Sequence, residues 1–440
     1  MKEPLRIGVA GLGTVGAAVI RILLQQEAVI EDKSGRKVVV SAVSARSKGK
    51  DRGVDLSGYH WFDDASEMAR SPEVDCIVEV IGGADGMAYD VIETALSNGK
   101  HVVTANKALL AKHGLKLAAL AEKNGRALAF EASVAGGIPV IKVLREGMPA
   151  NRIRRIYGIL NGTCNYILSR MEIEGLTFQE CLKDAQRLGY AEADPTFDVE
   201  GFDTAHKLAL LASLAFGTEV DSASIYVEGI SSITPLDLSM AGQLGYRVKL
   251  LGVAEYGEGG LEQRVHPTMV PKQSAIAQVM GVTNAVTIDA DAVKELTLIG
   301  PGAGGDATAS AVVADIADVA ANIMPFPFGR PTASLKKGSK SVMQRHEGGY
   351  YIRLTVHDRP GVAAGVATRM AEADISLESI LQKRTDEEPT PDRHGRSGSP
   401  VPLVLITYAA EEQKLRSALD RISSDGLIAE QPQVIRIERE

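Results

Sequence analysis

A glycine-rich turn close to the start of the chain constrains the fold more than any other feature. It lies between the short apolar run LRIGVA and the helical run AAVIRILLQQ. In a parallel α/β sheet, glycines here permit a tight turn, admit a pyrophosphate to the backbone and let the first helix pack on the first strand. The pattern predicts a Rossmann-type sheet that binds a dinucleotide, in preference to a glycine turn without a ligand. The turn consists of Gly11, Leu12, Gly13, Thr14, Val15 and Gly16.

The end of the second predicted strand, residues 37–43, bears on the choice of nicotinamide dinucleotide. An acidic residue there would bind the ribose 2′-hydroxyl and repel a 2′-phosphate. The sequence has no acid at this point and continues as SARSKGK, in which Arg46 is placed to bind a phosphate. We therefore predict NADP as the cofactor, with NAD as the second choice. A solvated basic loop is the alternative.

Three further apolar runs predict more strands of the same sheet, over residues 74–81, 99–104 and 127–132. Ligands of open parallel sheets bind beyond the carboxyl ends of the strands. Lys107 follows the second of these runs at that end, so we expect it to face the cofactor. The first domain is predicted to end near residue 133.

The segment GYAEADPTFDVEGFDTAHK, residues 189–207, places a group of carboxylates before a helix. Asp203 and Lys207 are four residues apart on the predicted helix 202–216, and therefore share one helical face. An isolated pair of this kind is usually a surface ion pair contributing about 0.3–0.5 kcal/mol. This helix is apolar almost all round, however, and three loop carboxylates are expected to converge before it, so we predict a functional pair. The three carboxylates are Glu192, Asp194 and Asp198.

Composition and charge exclude several classes of protein. A chain of 440 residues is expected to hold about two to four domains. Its net charge of −8 lacks the basic footprint that nucleic-acid binding requires. No apolar run is long enough to span a bilayer, and the first strand begins too early to leave room for a signal peptide. Three cysteines without CxxC spacing indicate reduced thiols, so we expect a cytoplasmic protein. From the charge and the lack of a long apolar run, we expect neither a nucleic-acid nor a membrane partner.

Two loops carry further predictions. The glycine-bearing loop 133–139, beside Glu131, offers backbone carbonyls to a small cation, although the residues alone favour an ordinary turn. Residues 151–165 predict a strand and a polar turn, with Thr163 as the cap of a helix over residues 166–174.

The second half of the chain alternates strand-like runs with short helices over residues 225–288. This pattern predicts an antiparallel sheet that is also a candidate subunit interface. The run GPGAGG at residues 300–305 repeats the turn-then-helix pattern, so helix 306–324 is expected to return to the dinucleotide domain.

The C-terminal segment, residues 350–440, reads strand, helix, strand, strand, helix, strand, which is the order of a ferredoxin-like fold. With DRPGV, residues 358–362, at its first strand–helix turn, it resembles an ACT domain, a module that binds amino-acid effectors. The polar stretch 385–400 is predicted to be a flexible loop. A domain used only for assembly is the alternative to a regulatory one.

The predicted fold class is α/β, with a Rossmann-type parallel sheet domain, an α+β catalytic and dimerisation domain, and a C-terminal ferredoxin-like domain of the ACT type. The predicted boundaries are 1–133 completed by helix 306–324, then 134–325, a linker over 326–349, and 350–440.

Five motifs together closely resemble the homoserine dehydrogenases. They are GLGTVG, TANKALLA, FEASVAGGIP, GILNGTCNYIL and GYAEADPTFDVEGFDTAHK. The similarity runs from about residue 5 to residue 330, and the last two motifs are its specific part. The resemblance implies an NAD(P)-dependent interconversion of L-aspartate 4-semialdehyde and L-homoserine, a step toward threonine, isoleucine and methionine. It also implies a homodimer or homotetramer, with threonine as an effector at the ACT domain.

The same resemblance implies roles for individual residues. Lys207 corresponds to a catalytic proton donor and Lys107 to a second active-site lysine near the nicotinamide. Glu192 and Asp203 correspond to substrate-binding acids, and Asp198 to an acid nearby. Gly302 corresponds to a second glycine turn at the cofactor. A monovalent-cation site, usually for sodium, corresponds to Glu131, Val134, Gly136 and Ile138. Many relatives carry His-Pro where Ser274-Ala275 stands, so no imidazole is expected there.

The residue types fit this chemistry independently of the family. Hydride transfer to an aldehyde creates an alkoxide, and a positioned acid such as Lys207 accelerates its protonation by about 10²- to 10⁴-fold. Two other functions remain open at this point: another Rossmann oxidoreductase of a small amino acid, and a non-catalytic dinucleotide sensor. The joint presence of Asp203 and Lys207 disfavours the sensor, and assays with homoserine against other amino acids would separate the two enzymes.

Overall fold

The computed structural model describes residues 2–257, 260–338, 346–382 and 400–438. The first unit contains a six-stranded parallel sheet with the strand order β3-β2-β1-β4-β5-β6. The apolar runs predicted as strands form this sheet and are buried between helices. Its strands are β1 Leu5–Ala10, β2 Val38–Ser44, β3 His60–Phe62, β4 Cys76–Glu79, β5 His101–Thr104 and β6 Leu128–Ala129. Its helices are α1 Thr14–Gln25, α2 Glu27–Ser34, α3 Ala65–Arg70, α4 Met87–Ser97 and α5 Lys107–Lys123.

The last predicted strand of this sheet is shorter than the sequence indicates. Instead of spanning 127–132, it ends at Ala129 and is followed by a 3₁₀ turn, Glu131–Ser133. The reason is a long-range contact, because the Glu131 amide donates a 2.8 Å hydrogen bond to Asp315 Oδ2. This bond satisfies the amide without a neighbouring strand.

The second unit forms an antiparallel sheet with helices, as the alternating runs predicted. Its strand order is β12-β11-β7-β9-β10, and β8 pairs with β10. The strands are β7 Ile153–Ile159, β8 Tyr226–Val227, β9 Tyr246–Gly257, β10 Gly260–Pro271, β11 Thr283–Ala290 and β12 Glu295–Pro301. The helices are α6 Val140–Lys142, α7 Gly162–Glu174, α8 Phe178–Arg187, α9 Thr196–Val199, α10 Phe202–Phe216, α11 Pro235–Gln243 and α12 Gly305–Ala321.

The cap of α7 differs from the predicted one. The helix begins at Gly162, and the side chain of Asn161 accepts a 2.9 Å hydrogen bond from the Cys164 amide. Thr163 instead donates from Oγ1 to the Tyr190 carbonyl at 2.5 Å. The prediction that Thr163 caps the helix is therefore wrong, because its hydroxyl binds the segment before α9 instead.

Helix α12 returns to the dinucleotide-binding sheet and packs against α1, as predicted. It ends at Ala321, before the predicted residue 324, because Asn322 adopts a left-handed conformation with φ 66°. Gly305 opens the helix where a Cβ would lie 2.8 Å from Thr14 Cγ2. The absence of a side chain therefore lets α12 approach the first glycine turn.

The C-terminal unit has the predicted ferredoxin-like order. Its sheet runs β17-β13-β15-β14 with antiparallel neighbours, and two helices cover one face. The first strand starts at Glu347, three residues before the predicted boundary at residue 350. Most of the predicted flexible stretch 385–400 lies outside the described residues. The elements are β13 Glu347–His357, α13 Val362–Glu372, β14 Leu377–Gln382, β15 Pro400–Thr407, β16 Ala410–Glu411, α14 Glu412–Ser424 and β17 Gln433–Ile437.

The sheets of the second and third units are continuous. Strand β17 pairs in parallel with β10, and Thr268 and Met269 face Arg436 and Ile437. The sequence did not predict this pairing, because nothing local marks which outer strands will meet. The ACT-like unit is therefore joined to the second unit by backbone hydrogen bonds as well as by side chains.

Candidate active site

The glycine turn has the geometry that its sequence predicted. Gly11 has φ +99°, and a Cβ there would lie 2.6 Å from the Val80 carbonyl oxygen. A Cβ on Gly16 would lie 2.0 Å from the Gly11 carbonyl oxygen, whereas one on Gly13 would meet no atom within 4 Å. The turn is thus closed on the side of the protein and open at Gly13, where α1 begins.

A cleft of about 600 Å³ opens beside this turn and contains a group of cations. Arg46 lines this cleft, together with Lys50 and Arg52. Arg52 donates from Nε to the Leu12 carbonyl at 3.1 Å, and its guanidinium lies 5.8 Å from the centroid of the Trp61 ring. Lys50 belongs to the basic run that the sequence analysis quoted, whereas sequence reasoning missed Arg52, which lies two residues beyond it.

Buried polar groups fix the carboxyl edge of the sheet where Lys107 begins α5. Glu79, at the end of β4, accepts from Thr104 Oγ1 at 2.6 Å, and burial raises the pKa of its carboxyl. Thr104 Oγ1 in turn accepts from the Asn106 amide at 3.0 Å. Asn106 caps α5 by accepting from the Leu109 amide at 3.1 Å. Lys107 is therefore held at the first position of a capped helix.

Asp203 is the centre of the predicted site. It is only 4% exposed, and each of its oxygens binds a different lysine: Lys207 Nζ lies 2.6 Å from Oδ2, and Lys107 Nζ lies 3.1 Å from Oδ1. Burial alone would raise the pKa of Asp203, but the ammonium groups of Lys207 and Lys107 outweigh it and lower that pKa. One carboxylate thus bridges the two lysines that the sequence singled out.

Asn161 connects Asp198 to Asp203 and its two lysines. Its Nδ2 donates to Asp198 Oδ1 at 2.8 Å and to Asp203 Oδ2 at 2.9 Å. Burial and the neighbouring Asp203 carboxylate raise the pKa of Asp198. Lys207 also donates to the Leu160 carbonyl at 2.7 Å. The signal for Asn161 was the GILNGTCNYIL motif, which the sequence analysis did not connect to the acids.

The other two of the three carboxylates that were predicted to converge do not join the cluster. Asp194 is exposed and accepts from the Thr196 amide at 3.1 Å and the Thr196 hydroxyl at 2.6 Å, so its predicted convergence was wrong. Glu192 is also exposed, and within the described ranges it forms no ion pair with the cluster. Pro195 directly precedes the short helix α9, which turns Asp198 inward and leaves residues 192–194 exposed.

Three family models match this chain. The homoserine dehydrogenase model matches residues 139–317, the homoserine dehydrogenase NAD binding domain matches residues 11–131, and the ACT domain matches residues 350–424. The homoserine dehydrogenase of Pseudomonas aeruginosa is 44% identical over 423 residues, which are 95% of each chain. The chain belongs to the homoserine dehydrogenase family. It is an NAD(P)-dependent oxidoreductase, as predicted.

Solved homoserine dehydrogenases have the same fold. The crystal structure of the enzyme from Thiobacillus denitrificans matches with a TM-score of 0.91 and 40% identity, covering 99% of this chain and 98% of that one. A hyperthermophilic archaeal homoserine dehydrogenase in complex with NADPH matches with a TM-score of 0.63 and 27% identity, covering 74% of this chain and 99% of that one. The predictions of a Rossmann-type domain, a mixed catalytic domain and an ACT domain are confirmed.

The loop that the homoserine dehydrogenase resemblance associates with a cation is buried. Glu131 is 2% exposed, and its carboxylate accepts from the amides of Ile141 at 2.9 Å and Lys142 at 2.8 Å. Burial, aided by the neighbouring Asp315, raises the pKa of Glu131 to about 7. Gly136 has φ +52°, and a Cβ there would lie 2.5 Å from the Gly302 carbonyl oxygen. The loop therefore closes directly on the second glycine turn.

The donor chemistry of this loop fits a hard monovalent cation. Ala135 and Gly136 are consecutive left-handed residues, with φ 55° and 52°, which turns successive carbonyls out of the usual chain direction. Val134 and Ile138 are buried on either side. Asp315 Oδ1 is buried without a hydrogen bond from the described residues. The nearest cation to this oxygen is Lys142 Nζ, at 3.8 Å. A buried carboxylate oxygen without a hydrogen bond, beside a turn of left-handed residues, suits a small cation.

Two further features accord with the sequence predictions. Cys76, Cys164 and Cys181 are all buried and form no disulfide. Among the described helices, none combines the length and apolar character needed to cross a bilayer.

Proposed function

We propose that Lys207 is the proton donor in the reduction of L-aspartate 4-semialdehyde to L-homoserine. The geometry of its ammonium group is the observation that carries this assignment. Two of the three Nζ protons bind Leu160 O and Asp203 Oδ2, which leaves one for a carbonyl oxygen. The glycine turn and the cation cleft would hold the dinucleotide, which supplies a hydride equivalent to the aldehyde carbon when it is bound. In the reverse direction a neutral Lys207 takes the hydroxyl proton.

The surrounding groups position this lysine and the substrate. Asp203 fixes Lys207 and Lys107 against each other, and Asn161 fixes Asp203 to Asp198. Asp203 and Asp198 supply negative charge for the substrate ammonium group. Glu192 is proposed as a further substrate-binding acid at the entrance. The direct test of the activity is a spectrophotometric assay of homoserine-dependent NADP reduction, with and without threonine.

NADP is the proposed cofactor because Arg46, Lys50 and Arg52 line the cleft. Guanidinium and ammonium groups bind a 2′-phosphate more strongly than a neutral 2′-hydroxyl, because both partners are then charged. The NADPH complex of the archaeal relative supports the same dinucleotide. The proposed contacts are made by Gly11, Leu12, Gly13, Thr14, Val15, Gly16, Arg46, Lys107 and Gly302.

Arg46→Asp is expected to raise the KM for NADP by about 10- to 100-fold and to leave the KM for NAD nearly unchanged. Hydrogen bonds to charged groups contribute about 1.5–3 kcal/mol, and the substitution also adds a repelling charge. The measurement is steady-state kinetics with each dinucleotide. Lys48→Asp is the matched control, because Lys48 belongs to the same basic run and lies over the Trp61 ring. Unchanged KM values for both dinucleotides in Arg46→Asp would contradict the assignment.

A monovalent cation such as sodium is proposed to bind at Glu131, Val134, Gly136 and Ile138. The buried carboxylate and the left-handed turn support this proposal. Since the turn touches Gly302, the cation would stabilise the contact between the glycine turn before α12 and the loop that follows β6.

Glu131→Gln is expected to raise the sodium concentration needed for half-maximal thermal stabilisation by at least about tenfold, a loss typical of a weakened metal site. The measurement is thermal unfolding in sodium chloride against choline chloride at equal ionic strength. Glu27→Gln serves as the control, because Glu27 forms a surface pair with Lys37. Equal stability of the wild-type chain in both salts would count against a sodium site.

Regulation and assembly complete the proposal. The ACT domain is proposed to bind threonine as a feedback effector, and the chain to act in the cytoplasm as a homodimer or homotetramer. The antiparallel sheet carries Ile299, which is 54% exposed on β12 and suits a subunit interface. The domain division 1–133 with 306–324, 134–325 and 350–440, with a linker between the last two, remains our proposal.

A further inference from the structure

A groove of about 660 Å³ lies where the ACT-like unit meets the catalytic unit. One wall is formed by Arg353, Arg416 and Glu430 of the ACT-like unit. The other wall includes Glu200 and Phe202, at the junction of α9 and α10. The volume falls within the range of small-molecule sites, and the lining carries both charge signs.

The two guanidinium groups each keep a donor for a ligand. Arg353 is fixed by Asp237, with Nε 2.8 Å from Oδ1 and Nη2 3.3 Å from Oδ2. Arg416 uses Nε and Nη2 on Glu412, and Nη2 also on Glu228. Among the hydrogen bonds of the described residues, neither Nη1 takes part. Both groups are therefore pre-oriented and still able to donate to a carboxylate.

Two carboxylates of the groove keep acceptor capacity in the same way. Glu200 Oε1 accepts from Ser231 Oγ at 2.7 Å, and Glu430 Oε2 accepts from Thr355 Oγ1 at 2.8 Å. Within the described residues, the second oxygen of each makes no hydrogen bond. Fixed cations and fixed anions in one groove match a small zwitterion, whose carboxylate and ammonium are a few ångströms apart.

We propose that this groove binds a free small amino acid, with its carboxylate on Arg353 and Arg416 and its ammonium group on Glu430 and Glu200. The proposal rests on feedback regulation, and it locates the effector between the two units instead of within the ACT-like unit alone.

The groove is coupled to the active site through a very short segment. Glu200 directly follows α9, which carries Asp198, and Phe202 begins α10, which carries Asp203. The intervening Gly201 has φ +87°, with a Cβ position only 3.0 Å from Val265 Cγ1. A ligand that holds this junction therefore fixes the relative placement of the two acids that Asn161 connects. The effector would act by changing the position of Asp203 and its two lysines.

The test is inhibition of the full chain by L-threonine. Glu430→Lys reverses an exposed charge in the groove, and we expect the L-threonine concentration for half-inhibition to rise about tenfold or more. Asp420→Lys makes the same charge change at an exposed position of α14 outside the groove lining, and should inhibit like the wild-type chain. Hydrogen exchange of the wild-type chain should show L-threonine protecting amides in residues 228–233 and 430–434.

Each outcome decides between the proposals. Inhibition of the wild-type chain with equal sensitivity of Glu430→Lys, and protection confined to other ACT segments, overturns the groove while leaving feedback intact. A wild-type chain that L-threonine neither inhibits nor protects overturns the feedback proposal and, with it, the groove that rests on it. Loss of sensitivity in Glu430→Lys alone, with normal activity in the absence of L-threonine, supports the groove.

Discussion

Lys207→Ala is expected to lower kcat by about 10²- to 10⁴-fold while NADPH binding stays intact. The alkoxide that forms in aldehyde reduction must be protonated, and the substitution removes the group that donates the proton. Water is a poor substitute for this lysine as proton donor, because the lysine side chain is only 12% exposed. Asp203 retains Lys107 as a partner in the variant, so the buried carboxylate is not left without a cation. The measurement is steady-state turnover followed by NADPH absorbance, with NADPH affinity measured separately by titration.

The control for this variant is Lys116→Ala. Lys116 is an exposed lysine of α5 that pairs with Glu93, away from the acidic cluster. Lys116→Ala should leave kcat unchanged. Near-normal turnover in Lys207→Ala would show that another group donates the proton, and would refute the assignment of Lys207.

Arg436→Ala is expected to lower the free energy of unfolding by about 3–5 kcal/mol, the range for breaking a buried ion pair by removing one partner. Arg436 is 2% exposed on β17 and donates from Nη1 to Glu228 Oε2 at 2.6 Å and from Nε to Glu412 Oε2 at 2.9 Å. Without the guanidinium, the buried Glu412 and the partly buried Glu228 lose a shared cation at the joint of the two units. Arg416 offsets part of this cost, because it also binds both acids. Urea unfolding of the full chain measures the effect.

Arg369→Ala is the matched control for Arg436→Ala. Arg369 forms ion pairs with Glu372 and Asp425 at the protein surface, where solvent screens the charges. We expect little change in its urea midpoint. An Arg436→Ala chain that unfolds at the same urea concentration as Arg369→Ala would show that the ionic cluster does not hold the two units together.

The sequence predicted those parts of the fold that depend on local pattern. Helix α10 was predicted at the residues where it is found, Phe202–Phe216, because its apolar spacing and its flanking glycines are local signals. The glycine turn likewise identified the first strand and helix. The pairing of Lys107 with Asp203 could be expected only in outline, because it joins residues far apart in the chain.

The parts that sequence did not predict depend on long-range contacts. Asn161 joins two acids across different helices, and no local pattern marks its side chain as their connector. Arg52 reaches back to the Leu12 carbonyl across the cleft. The three-carboxylate prediction failed at Asp194 because a local hydrogen bond to Thr196 satisfied that acid instead. Asp194 therefore forms a local hydrogen bond and does not join the acidic cluster.

The parallel pairing of β10 with β17 has a consequence for how the C-terminal unit can be removed. A chain cut before β13 would lose the strand that pairs with Thr268 and Met269 of β10 and would present unbonded amides and carbonyls at that part of the strand, whereas β8 would still pair with Arg264 and Val265. Such an edge is a template for intermolecular strand addition and aggregation. Loss of threonine sensitivity in a truncated chain would therefore mix the loss of a ligand site with damage to the remaining sheet, whereas single substitutions keep that edge covered.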